Sequence, residues 1–272
     1  MAGYGEPMAS LPPRALFTQL IDDAAVFPPG NYSLSQAIER RSARRGTPAA
    51  DFVGPLLLPP RLVDDALADH SALVITVVGR PDTPVEDTVA AAERVAGSTG
   101  HSLAGVEVAA VPGWDQVLEL AVPVAVEVPA GAAGLASLPD IEQHDGQVIA
   151  KLRTGSTPAT PVPATSELAA FIAECVRTGM PFKLTGGLHH AIAHAADGED
   201  QFGFLGVLLA THAALTGGDV SAPLDGRDAD AASASLTAMT ETDAGSVRNF
   251  FTSFGCCDVL DPVHDLSALG LI

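Results

Sequence analysis

The chain has 272 residues, of which 47% are hydrophobic, with a mean hydropathy of +0.27, so it carries enough apolar material for a packed core and is not a disordered polymer. Lys and Arg total 14 against 33 Asp and Glu, a formal charge of -19 that repels phosphate backbones and anionic membranes, so nucleic acid and membrane are excluded as expected partners. No apolar run reaches the roughly 18 residues of a membrane span, and MAGYGEPMAS lacks a basic then apolar leader pattern, which gives a cytoplasmic expectation.

LPPRALFTQLIDDAAVF (11 to 27) opens on prolines and has apolar residues at helical spacing, predicting a helix that stops at Pro28-Pro29. NYSLSQAIERRSARR (31 to 45) predicts a second helix, capped by Ser33 or Ser35 and ending in a basic turn. From residue 51 short apolar runs alternate with helical segments: 51 to 58, 72 to 79, 104 to 111, 122 to 128, 147 to 153 and 181 to 185. Continuous apolar runs of this kind suit parallel strands buried on both faces. QFGFLGVLLATHAALTGG (201 to 218) predicts an apolar helix closed by glycine. Residues 219 to 242 are ambiguous, with a short strand near DVSAPL left open; DGRDADAASASLTAM and AGSVRNFF suggest helices, FTSFGCCDV (251 to 259) a last strand, and PVHDLSALGLI a terminal helix.

Seven strands are legible and an eighth is not. The expectation is an α/β fold, a (β/α)8-like TIM barrel with a short or missing strand, forming one domain over 1–272 with 11–45 as an N-terminal helical extension. A doubly wound open sheet is the rival, but the first strand-helix junction, LLLPPRLVDD, has no GxGxxG fingerprint.

Four strands carry charge near their carboxyl ends: Glu107, Glu127, Lys151 with Arg153, and Lys183. Residues two apart share a strand face, and the outer face of a barrel strand packs on helices, so these groups should converge at the mouth. Isolated buried charges are unfavourable, so they must pair with one another or contact a ligand. Arg153-Thr154-Gly155 and Thr185-Gly186-Gly187 then offer backbone N–H groups to an anion. Neighbouring cations would lower the pKa of Lys183 and free it as a Schiff-base nucleophile or general base. A lysine ending the sixth strand resembles the arrangement of class I aldolases.

His189 and His190 follow the glycine turn, and His194 shares a face with His190 if that segment is helical. Two readings follow: acid-base histidines, or a divalent metal held by His189 and His190 with Glu107 or Glu127. The Schiff-base reading requires no cofactor. Cys175, Cys256 and Cys257 lack disulfide or zinc spacing, although one thiol of Cys256-Cys257 stands near the mouth. Asp22 and Asp23 read mainly as solvated acids near a turn, with an inward acid as the alternative.

LIDDAAVFPPGN, KLRTG, FKLTGGLHH and SFGCCDV together resemble a group of bacterial hypothetical proteins whose segments read IDDAGLFPPA, K-x-RTGG, FKATAGLHHP and HGFLN. The similarity spans most of the chain. It implies kinship and no particular activity, and it singles out Asp22, Asp23, Lys151, Arg153, Lys183, His189 and His190. The chain departs from that pattern at Phe202 to Gly206 and at Ser156. The expected function is a lyase or isomerase type enzyme on a small carbonyl compound bearing a carboxylate or phosphate, and homo-oligomer assembly is compatible with it. The alternatives are a metal-dependent lyase or hydrolase and a non-catalytic binding barrel.

Overall fold

The computed structural model describes residues 11–142, 144, 147–196 and 198–272; the first ten residues, read above for a leader, lie outside the described residues. Its strands are β1 (Ile21–Asp23), β2 (Val53–Leu58), β3 (Val74–Val78), β4 (Ser102–Ala109), β5 (Val124–Val128), β6 (Val148–Arg153), β7 (Phe182–Thr185), β8 (His194–Ala196), β9 (Glu199–Gln201) and β10 (Phe251–Cys256). All but β8 and β9 close into an eight-stranded parallel barrel in the order β1-β10-β7-β6-β5-β4-β3-β2. This is the TIM-barrel class, and closure eliminates the open sheet. β8 and β9 form a separate antiparallel hairpin in the connection after β7.

The missing eighth strand is β1, and it lies inside the segment predicted to be a helix. Over 11–27 the only helical piece is a 3-10 turn, Arg14–Leu16, after which the chain extends. Phe254 donates its N–H to the Leu20 carbonyl at 2.9 Å and Ala24 donates to the Cys256 carbonyl at 2.8 Å, so the ladder to β10 runs through this segment. Leu16, Phe17, Leu20 and Ile21 are all fully buried. Apolar spacing there reflects core contacts made from an irregular chain, which imitates a helical stripe.

The second predicted helix forms as α1 (Leu34–Arg44), with Ser33 and Gln36 bonding each other's backbone N–H in a capping box. It packs beside β1, where Asp23 points outward to Arg44 and Arg41. The βα rhythm continues through α2 (Val63–Leu67), α3 (Val85–Ala96), the 3-10 helix Trp114–Leu120, α4 (Ala132–Glu142) and α5 (Thr165–Thr178). α6 (Phe204–Thr216) ends at Gly217 in the left-handed conformation, φ +75°. DVSAPL forms no strand; α7 (Ser221–Leu224) occupies it, followed by α8 (Ala229–Thr237), α9 (Glu241–Phe250) and, after β10, α10 (Leu260–Ala268). No helix among the described residues is long and apolar enough to cross a membrane.

In amide hydrogen exchange, Ala24 and Phe254 should belong to the slow class together with the amides of β7, because both close the barrel seam. Exchange at loop rates would show that residues 21–23 are not a barrel strand.

Candidate functional site

The barrel interior holds a chain of alternating charges. Lys183 Nζ lies 2.6 Å from Asp22 Oδ2 and 2.5 Å from Glu107 Oε1. Lys151 Nζ lies 2.7 Å from Glu107 Oε2 and 2.7 Å from Glu127 Oε2, and Arg153 Nε reaches Glu127 Oε1 at 3.4 Å. Ser253 donates its hydroxyl to Asp22 at 2.7 Å. β1 is separated from β7 by β10, and β4 from β6 by β5, so side chains from these strands can meet only through the interior. Gly54 leaves room for this, since a Cβ there would sit 2.4 Å from Asp22 Oδ1.

The expected convergence of Glu107, Glu127, Lys151, Arg153 and Lys183 is therefore present, and Asp22 joins it. Asp22 and Asp23 are not solvated acids: both are buried, Asp22 inward on Lys183 and Asp23 outward on the arginines of α1. Burial raises the Asp23 carboxyl despite Arg44 and Arg41. Three carboxylates now balance three cations. With only Glu107 and Glu127 counted, one cation was left over, and that surplus was the sequence signal for a third inward acid.

Burial alone would raise the Glu107 carboxyl, but Lys151 and Lys183 outweigh it and hold the group at about 2, against an ordinary 4.5. Burial alone would lower the lysines; the carboxylates outweigh it and raise both above 10.5. This corrects the expectation for Lys183. Its neighbours are carboxylates, not cations, and they keep it an ammonium.

The network opens toward the strand ends. Asp22, Glu107, Lys151 and Lys183 are buried, whereas the side chains of Glu127 and Arg153 are 22% and 35% exposed. Arg153 uses Nε on Glu127, and its terminal nitrogens have no acceptor among the described residues. They lie beside Gly186, whose φ of +73°, like the +78° of Gly187, is left-handed backbone that glycine supplies. Gly155 packs directly on this turn, where a Cβ would meet Gly187 N at 2.9 Å. The N–H groups of Gly155, Gly186 and Gly187 likewise find no acceptor among the described residues. Thr154 is not exposed to a ligand; it is fully buried and its hydroxyl donates to the Gly186 carbonyl, pinning the two loops together. Thr185 is half-buried beside it.

The histidines separate. The 188–193 segment is not helical, so His190 and His194 do not share a helix face; their rings meet edge-to-face at 4.7 Å and His190 Nδ1 sits 3.2 Å from Asp265. His189 Nδ1 lies 3.4 Å from Asp261 Oδ2, while its Nε2 faces Cys257 Sγ at 3.5 Å. Glu107 and Glu127 are committed to lysines, and among the described residues no group of three or more His, Cys, Asp or Glu is arranged to hold a metal ion. Sequence reasoning gave Asp261 no part in this cluster; it stands just before the segment read as the terminal helix, and the structure puts it on the first turn of α10. At the positions where the chain departs from the group its motifs resemble, Phe202, Phe204 and Leu205 are core residues, and Ser156, next to Gly155, bonds Glu199 at 2.6 Å on the surface.

Fold and site thus define a (β/α)8 barrel with an ion-paired interior that opens onto an arginine and two glycine loops. The chain matches no family model and no curated protein. Among solved structures it is similar to a 7,8-dihydropteroate synthase from Vibrio fischeri ES114, with 12% identity, 96% of this chain and 97% of that chain covered, and a TM-score of 0.49. Similarity extends to a Yersinia pestis DHPS with a pterine-sulfa conjugate, with 12% identity, 94% and 93% covered, and a TM-score of 0.45.

Glu107→Gln should destabilise the protein by about 3–5 kcal/mol near neutral pH, because it leaves two buried ammonium groups short of charge. Glu107 has a depressed folded pKa, so its contribution is present above about 4.5 and disappears as pH falls toward 2. In urea unfolding, the stability gap between wild type and variant should narrow over that range. The lysines have raised values, so their contribution holds below 10.5 and falls as pH rises through the folded pKa. A gap that stays constant down to pH 2 would contradict the assigned state of Glu107.

Proposed function

We propose that the barrel mouth is the active site of a lyase or isomerase type enzyme acting on a small carbonyl compound that carries a carboxylate or phosphate. The observation that carries this reading is the terminal edge of Arg153 beside the N–H groups of Gly155, Gly186 and Gly187, none of which has an acceptor among the described residues. A guanidinium and backbone donors around one space suit an anion, and charge-assisted bonds there are stronger than neutral ones. The long-range field of a chain with charge -19 disfavours anions, so a local cluster of donors on this surface has a purpose in holding one.

The two lysines act as fixed charges in this reading. Lys183 would have to lose a proton against Asp22 and Glu107 to form a Schiff base, and its raised pKa opposes that. Proton transfer falls instead to His189, whose imidazole is partly exposed and bonded on both nitrogens. The double pairing of Lys183 favours one further reading, a barrel that binds such a compound without converting it; turnover of the bound compound separates the two.

Inorganic phosphate and short 2-oxo acids should raise the thermal midpoint of the wild type, and Arg153→Ala should weaken that binding roughly tenfold or more, as loss of about 1.5–3 kcal/mol implies. Borohydride treatment with the same oxo acids should leave no adduct on Lys183. Equal stabilisation of Arg153→Ala by phosphate would remove the anion site, and a reduced adduct on Lys183 would restore the Schiff base.

A further inference from the structure

Barrel closure places β10 between β7 and β1, and with it the end of β10 against the loop that follows β7. Three groups far apart in sequence meet there. Cys257 Sγ is 3.5 Å from His189 Nε2, and His189 Nδ1 is 3.4 Å from Asp261 Oδ2 on the first turn of α10. If Nδ1 carries the proton and donates it to Asp261, Nε2 is left as an acceptor directed at the Cys257 thiol. That is the order nucleophile, base, orienting carboxylate. The Gly30 backbone packs directly on this residue, where a Cβ would lie 3.0 Å from the Cys257 Cβ.

The neighbouring thiol is differently placed. Cys256 Sγ lies 3.6 Å from His189 Nδ1, the nitrogen already facing Asp261, and donates to the Asp258 carbonyl at 3.1 Å. Cys256 is 1% exposed, Cys257 is 8% exposed, and Cys175 is sealed in the core. Burial raises the Cys257 thiol above its ordinary range, so the sulfur gives up its proton only to a base in contact with it. His189 is that base.

We propose that Cys257 is a nucleophilic thiol, with His189 as its general base and Asp261 as the residue that positions His189, and that its electrophile is the carbonyl carbon of the small compound bound at the mouth. The sulfur adds to that carbon as the thiol proton passes to Nε2. The carbonyl pair moves onto oxygen, which takes the proton back from the imidazolium, leaving a neutral thiohemiacetal. No oxidant or reductant is involved. The electrophile rests on the reading of the mouth as a carbonyl site, whereas the nucleophile does not.

The test is alkylation of the intact protein by iodoacetamide, followed by peptide mass spectrometry of all three cysteines. The reagent is uncharged and has no need of the anion site, so the phosphate titration and this experiment fail separately. In alkylation the Sγ–C bond forms, iodide leaves, and His189 takes the thiol proton. Cys257 should be labelled roughly tenfold or more faster than Cys256 and Cys175. His189→Gln and Asp261→Asn should each slow it by roughly tenfold at an unchanged thermal midpoint, with Asp261→Glu recovering part of the rate. The Asp261 side chain is 45% exposed, so its substitution keeps the test available if the histidine variant does not fold. Labelling of Cys257 only after unfolding, preferential labelling of Cys256, or equal rates in wild type and Asp261→Asn would overturn the assignment.

Discussion

The structure turns on one carboxylate. Glu107 stands on β4 and gives one oxygen to Lys151 on β6 and the other to Lys183 on β7, spanning the barrel interior. Neither ammonium could be buried alone, since an unpaired charge in that medium is strongly unfavourable. Neither could the carboxylate. The three groups are buried as a unit, completed by Asp22 and Glu127, and their meeting fixes how β4, β6 and β7 face one another. The small interior residue Gly54 then follows from the space the network occupies.

Stability alone does not account for such an interior. Apolar residues of similar volume pack a barrel at least as well as a buried ion network, and replacing such networks is often neutral or stabilising. What the charges add is a graded path from closed to open. Asp22 and Lys183 are sealed, Glu127 is partly exposed, and Arg153 ends the series at the strand ends with donors that have no acceptor among the described residues. A guanidinium anchored through Nε by a carboxylate that is itself anchored by Lys151 has little freedom to turn. Its remaining nitrogens are therefore directed before any ligand arrives.

Most of the barrel was legible because its strands are buried on both faces and read as apolar runs; β2 to β7 and β10 fall where those runs are. β1 was not. It is three residues long, two of them aspartates, inside a stretch whose apolar positions recur at helical spacing. The physical reason is that Asp22 and Asp23 are buried by pairing, inward with Lys183 and outward with Arg44, and periodicity has no way to register an acid that a distant cation neutralises. The charged strand ends were legible individually, and the direction of the Lys183 shift was misread for the same cause: its partner carboxylates come from β1 and β4, remote in sequence.

The closure of the barrel has a second effect at the same seam. Strand β10 must lie between β7 and β1, so the residues just past its end are brought against the glycine turn after β7. Gly186 and Gly187 reverse that chain in left-handed backbone, and two residues on His189 reaches back to Cys257 and Asp261. The glycines that expose N–H groups beside Arg153 thus also set the path that delivers the imidazole to the thiol. The proposed anion site and the thiol share one loop, so a ligand that ordered the turn by its anionic group would order His189 as well. Under the proposed reading, binding and nucleophile activation would in that sense be one mechanical event at the β7–β10 seam.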